Sequence, residues 1–194
     1  LKKLLVLEVV MRKLLFLSIL FVLSLSSCFH YEEEVSVISF DQKDYKLSSF
    51  LEEDWGHHSA NHYNMDFSIV GESTIFEQKQ DVAGNVYYVF SEPFDCYLFV
   101  EMFSAGPEEF QDGVFRYLGN RKIDEVADDE FVFRRFQFGR SENEKLYARE
   151  GYVTVTIDNK GTYHLKFDVD LDTGGHLTGT FIGQPEYLDR RTEY

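Results

Sequence analysis

Little in this 194-residue chain supports a disulfide-stapled, proline-rich or nucleic-acid-binding protein: it has two cysteines, three prolines, and 19 basic residues against 34 acidic ones. A formal charge of −15 opposes nucleic acid and anionic lipid surfaces alike. So few prolines leave no stiff linker or stalk. No glycine-rich phosphate loop, nucleophile elbow or paired-cysteine metal motif occurs, so the sequence names no cofactor and no metal centre.

One apolar run is present, near the start, in MRKLLFLSILFVLSLSSC (residues 11–28). Arg12 and Lys13 give a positive n-region, residues 14–25 an apolar stretch too short for a span of about 20 residues, and Leu25-Ser26-Ser27-Cys28 resembles a bacterial lipobox. The small serines let the backbone enter a membrane-embedded site, and the Cys28 thiol supplies the nucleophile that takes a diacylglyceryl group. The expectation is a signal peptide over 1–27, with 1–10 an early start preceding Met11, and Cys28 as the lipidated first residue anchoring the protein to a membrane. Removing Lys2, Lys3, Arg12, Lys13 and Glu8 would take the charge from −15 to −18. An acidic tether, 28–34, follows. Its Glu32-Glu33-Glu34 resembles the export tag of surface lipoproteins of the Bacteroidota, which implies an outer-membrane protein exposed at the cell surface; a periplasm-facing protein is the alternative.

From residue 35 to 194 the chain reads as a single β domain. Aromatic residues make up 16% of the chain, including 19 Phe and 12 Tyr, a balance typical of sheet. Tyr63, Met65, Phe67 and Ile69 alternate with polar neighbours, as do Tyr163, Leu165, Phe167, Val169 and Leu171. Turn sequences at Asp158-Asn159-Lys160-Gly161 and Asp172-Thr173-Gly174-Gly175 make 152–183 a three-stranded antiparallel meander. Further strands are expected at 35–40, 45–51, 86–90, 96–104, 113–117 and 131–138, about nine or ten in all. Phase breaks at Arg134-Arg135, which predicts a bulge. Pro107 with Gly113 beyond predicts one helical turn over 107–111. The fold class is all-β, either an antiparallel barrel or a sandwich. A membrane-spanning barrel is set aside, because the residues alternating with the core face are polar or charged.

The stretch GYVTVTIDNKGTYHLKFDVDLDTGGHLTGTFIGQPEYLD (151–189) is similar to the C-terminal part of a group of small uncharacterised surface lipoproteins of the Bacteroidota. Residues 45–55, 63–67 and 110–115 resemble that group's earlier segments. The resemblance implies an all-β lipoprotein, lipocalin-like in its barrel form, and implies no activity.

Candidate chemistry is sparse. Asp168-Val169-Asp170-Leu171-Asp172 starts like a calcium loop, but Thr173 stands where an EF-hand needs Gly and Gly179 where it needs Glu. Strand alternation explains the aspartates as solvent-facing. Trp55-Gly56-His57-His58-Ser59-Ala60-Asn61-His62 reads as a polar-aromatic loop. It is either an ordinary exposed loop or a ligand-contact loop with Trp55 as a stacking surface beside His57, His58 and His62. A zinc pair at His58 and His62 needs a helix that this segment lacks. Pairing Glu101 with Asp66 as acid and base requires knowledge of the fold. Cys96, in phase with Leu98, Val100 and Met102, is expected to be a buried inert thiol. The functional expectation is a non-catalytic module binding a glycan, a small apolar ligand or a surface protein. A hydrolase using the loop histidines and carboxylates is the first alternative, and an accessory subunit of a surface assembly the second.

Overall fold

The computed structural model describes residues 35–91, 95–141 and 143–192. The lipobox and Cys28 therefore lie outside the described residues. Twelve strands occur: β1 (Val37–Phe40), β2 (Lys43–Ser59), β3 (His62–Gly71), β4 (Phe76–Gln80), β5 (Val86–Phe90), β6 (Tyr97–Ala105), β7 (Gly113–Tyr117), β8 (Val132–Gly139), β9 (Leu146–Ile157), β10 (Tyr163–Leu171), β11 (His176–Gly183) and β12 (Glu186–Asp189). No α-helix occurs among the described residues, only a 3-10 turn at Ile123–Glu125.

Nine strands close into a barrel in the order β1-β11-β10-β9-β7-β8-β6-β3-β2, with β1 bonded to both β11 and β2. Closure resolves the choice between barrel and sandwich. The barrel is mixed rather than wholly antiparallel, because β7 pairs in parallel with β8; outside the ring, β12 lies in parallel on β2. Strands β4 and β5 form a separate hairpin.

The expected meander is present as β9, β10 and β11, in continuous antiparallel register. The expected bulge is present too: between the pairs Val100–Phe136 and Met102–Phe133, Arg134 and Arg135 face the single residue Glu101. Two expectations fail locally. Residues 107–109 form bends and 110–111 irregular chain instead of a helical turn, since Phe110 is drawn inward against Phe67 and stacked on Phe115, each at 5.5 Å. The supposed loop at 55–62 is the end of β2, a tight turn at Ala60-Asn61 and the start of β3.

Aromatic rings fill the interior. Phe50 meets Phe67, Tyr163 and Phe181 edge-to-face at 5.0–5.4 Å, and Phe138 meets Phe40 and Tyr45 in the same way. The barrel centre is a packed core, and losing any one of these phenylalanines to Ala would cost about 3–5 kcal/mol.

Closure depends on a close approach of backbones. Opposite Ile38, Gly179 has no side chain, and a Cβ there would lie 2.4 Å from the Val37 carbonyl oxygen and 2.8 Å from the Ile38 Cα. Gly179→Val should therefore push β1 off β11 and lower stability by about 2–3 kcal/mol. Urea unfolding of the variant measures this; an unchanged midpoint would mean that β1 does not close the barrel.

Candidate functional site

Strand alternation divides the run Glu52-Glu53-Asp54 between two faces. Glu52 and Asp54 lie opposite Phe67 and Met65, on the inward-facing row, while Glu53 lies opposite Asp66 on the outer row. Bulges then interrupt β2: Trp55 and His58 are each an extra residue with no partner on β3. A bulge re-aims a side chain, and here it sends the Trp55 indole outward over β3.

β3 is buried on both faces, which half-exposed alternation would not produce. The β4–β5 hairpin covers one end of its outer row, where Phe90 packs on Tyr97, the β6 partner of Val70, at 5.1 Å. A second small core, Phe103, Leu118, Ile123, Val126 and Val132, covers the other end. Between these coverings three carboxylates stand in cross-strand register: Glu53 on β2, Asp66 on β3 and Glu101 on β6.

Two guanidiniums close the row from its ends. Arg134 donates to both oxygens of buried Glu101, Nε to Oε2 at 2.8 Å and Nη2 to Oε1 at 2.6 Å. Arg190 donates from Nε and Nη2 to Glu53 Oε1 at 3.0 and 2.9 Å, and from Nη1 to the Val86 carbonyl at 3.3 Å. That last bond ties the β4–β5 hairpin to the C-terminal segment. Asp66, in the middle, accepts from Trp55 Nε1 at 3.0 Å and from Asn64 Nδ2 at 3.5 Å. Burial pushes the Asp66 carboxyl up to about 7, with Glu101 and Glu53 adding to the rise against the two donated hydrogen bonds. Near neutral pH Asp66 is thus poised between its protonated and ionised forms, while the two flanking carboxylates are held by guanidiniums.

A second group of carboxylates faces inward where β12 lies along β2. Burial, opposed by a hydrogen bond to Tyr163, lifts Glu52 to about 6. Asp54 accepts from the Tyr187 hydroxyl at 2.7 Å and from the Gly56 amide at 2.9 Å, with Arg191 Nε at 3.6 Å. These contacts fasten β12 to the barrel.

The residues singled out in the sequence separate accordingly. Trp55 lies under the Arg190 guanidinium at 5.8 Å and is engaged by Asp66, so one ring face is already covered. His58 packs edge-on against Phe103 at 4.9 Å, and burial lowers its pKa. His62 is buried with Nε2 lacking a hydrogen-bond partner, whereas His57 pairs opposite Tyr63 on the other face and is exposed. The structure therefore brings Trp55, His58 and His62 to one face and leaves His57 apart. Cys96 is fully buried, which pushes its thiol up to about 12. Asp168 and Asp170 are solvent-facing and both meet His176, at 3.4 and 2.8 Å. No group of three or more His, Cys, Asp or Glu is placed to hold a metal among the described residues.

An open cleft of about 290 Å³ lies elsewhere, lined by Arg116, Tyr117, Gly119, Arg121, Arg149, Glu150, Gly151 and Tyr152. Sequence reasoning missed it, because its residues come from β7, the segment after β7, and β9 and share no motif. Its guanidiniums offer fixed forks of N–H donors and no acceptor. Such a lining suits holding a ligand.

The Asp66 shift fixes a pH dependence. In the unfolded chain an Asp titrates near 3.9, so as pH rises the unfolded state loses this proton first. The Asp66 contribution is therefore most favourable below about pH 4, declines between about pH 4 and 7, and levels off above that. Asp66→Asn keeps an acceptor for Trp55 and should remove this decline, raising stability at pH 8 by about 2–4 kcal/mol. Urea unfolding from pH 4 to 8 decides it: the same slope in both proteins would show that Asp66 ionises normally.

Set against known protein families, characterised proteins and solved structures, the chain matches none of them.

Proposed function

We propose that this chain is an envelope lipoprotein, anchored to the outer membrane through lipid on Cys28 and displaying at the cell surface a barrel that binds a ligand without catalysing a reaction. The lipobox-like Leu25-Ser26-Ser27-Cys28 and the acidic 28–34 segment support the anchor and the display. More than one acyl chain is enough for stable attachment.

The observation that carries the binding reading is the arginine-and-tyrosine cleft beside β9. It offers hydrogen-bond donors and ring surface to solvent. The buried carboxylates, by contrast, are engaged within the fold: Glu101 by Arg134, Glu53 by Arg190, and Asp54 by Tyr187. The hydrolase alternative draws on His57, His58 and His62, which do not share one face. A filled barrel interior also favours a surface ligand over an apolar one held in the mouth.

Two measurements test this. Cys28→Ala should abolish incorporation of labelled palmitate in cells and move the protein from the membrane to the soluble fraction; label retained by the variant would contradict the anchor. A thermal-shift panel on the purified protein with calcium, zinc, oligosaccharides and fatty acids should raise the melting temperature with one ligand class, since anything binding only the native state stabilises it. Turnover of a model glycan or ester would contradict the non-catalytic reading.

A further inference from the structure

The cleft exists because β7 ends early. It pairs with β8 only through Arg116–Val132 and Tyr117–Phe133 and then turns away, while β9 continues and meets β8 directly only at Tyr147–Gln137 and Leu146–Phe138. The space left at this fork is the cleft, and Gly119 puts no side chain into it, whereas Gly151 lets β9 approach the β10 backbone, where a Cβ would lie 2.3 Å from the Asp168 carbonyl oxygen. A Cβ on Gly119 would meet nothing within 4 Å.

A second irregularity, on the other side of β9, supplies an exposed cation to the lining. β9 pairs Glu150 with Asp170 and Ala148 with Leu171, so Arg149 is an extra residue without a partner on β10. Its guanidinium is exposed and forms no ion pair among the described residues. Arg116 and Arg121 share Glu130, each through a single nitrogen, at 3.5 and 3.2 Å. On the neighbouring β10, Asp168 stands opposite Tyr152 and Asp170 opposite Glu150, and they lie 3.4 and 2.8 Å from ring nitrogens of His176. Three arginines here stand among four carboxylates, Glu130, Glu150, Asp168 and Asp170, so the attraction for an anion rests on Arg149 itself and not on a net positive charge. Such a site suits one carboxylate group at a time.

Tyr152 completes the arrangement. It is 50% exposed, stands opposite Arg116 in the β7–β9 register and lines the same cleft, so its ring is open to a flat ligand face. We infer that the cleft binds one ring of an acidic saccharide, a uronate, with Arg149 holding the carboxylate and Tyr152 lying against the sugar. The forked guanidinium matches a carboxylate in shape and charge, the ring supplies apolar surface for pyranose C–H groups, and the volume sits at the small end of ligand sites. This names the ligand class for the binding reading above and rests on it.

The test is titration calorimetry on the full chain in detergent at low salt, with trigalacturonate, its neutral counterpart galactotriose, and inorganic phosphate. Trigalacturonate should bind, and its affinity should fall with added salt. Arg149→Ala and Tyr152→Ala should each weaken it tenfold or more without moving the melting temperature, and Arg149→Lys should recover part of the loss. Equal binding of galactotriose, undiminished binding by either Ala variant, or binding of phosphate alone would overturn the uronate assignment while leaving a binding protein. If none of the three binds, the inference falls, and the thermal-shift panel decides separately whether the broader reading falls with it.

Discussion

The row of carboxylates Glu53, Asp66 and Glu101 is the constraint around which this domain is arranged. Three acids in register across adjacent strands repel one another, and burial makes that repulsion more costly. The fold answers with a guanidinium at each end and, at the centre, a carboxyl whose ionisation burial postpones to about pH 7. Arg134 holds Glu101 from the β8 bulge, and Arg190 holds Glu53 from beyond β12 while reaching the β4–β5 hairpin. The hairpin, the C-terminal segment and the outer wall of the barrel are thus joined through side chains that meet at one line of charge. Trp55 seals that line, its indole between Asp66 and Arg190.

Bulges provide the means. A regular strand would send Trp55, Arg134 and Arg149 wherever a period of two dictated, but each of these residues belongs to an irregular step in its ladder. The extra residue turns the side chain out of phase and bends the strand. In β2 and β8 this serves the buried row; in β9 it places Arg149 in the lining of the cleft that the early end of β7 leaves. One structural device therefore supports both the stability of the outer wall and the surface suited to a ligand.

Much of the sheet was legible in the sequence. Tyr163 to Leu171 and its flanking turns announced the meander, and the displaced parity of Phe136 and Phe138 announced the β8 bulge. What escaped notice escaped for a physical reason. Trp55 to His62 looked like a loop because bulges at Trp55 and His58 erased the alternation that marks a strand. Asp66 looked solvent-facing, since a single sequence does not reveal that a hairpin from residues 76–90 and a segment around Ile123 will cover the outside of β3. The parallel joint between β7 and β8 left no periodic trace, and so neither did the cleft that opens at its end. Cys96 was read correctly as buried because its neighbours keep strict phase.

The account turns on the claim that the arginine clamps are what make the carboxylate row tolerable, and a double-mutant cycle on Arg134 and Glu101 tests it most directly. Urea unfolding of Arg134→Met, Glu101→Gln and the pair gives the coupling free energy. Arg134→Met alone should be costly, about 2–3 kcal/mol, because it leaves a buried carboxylate uncompensated, and the double variant should recover most of that loss. Additive effects, with Glu101→Gln giving no relief to Arg134→Met, would show that the row does not depend on its clamp and would contradict the account.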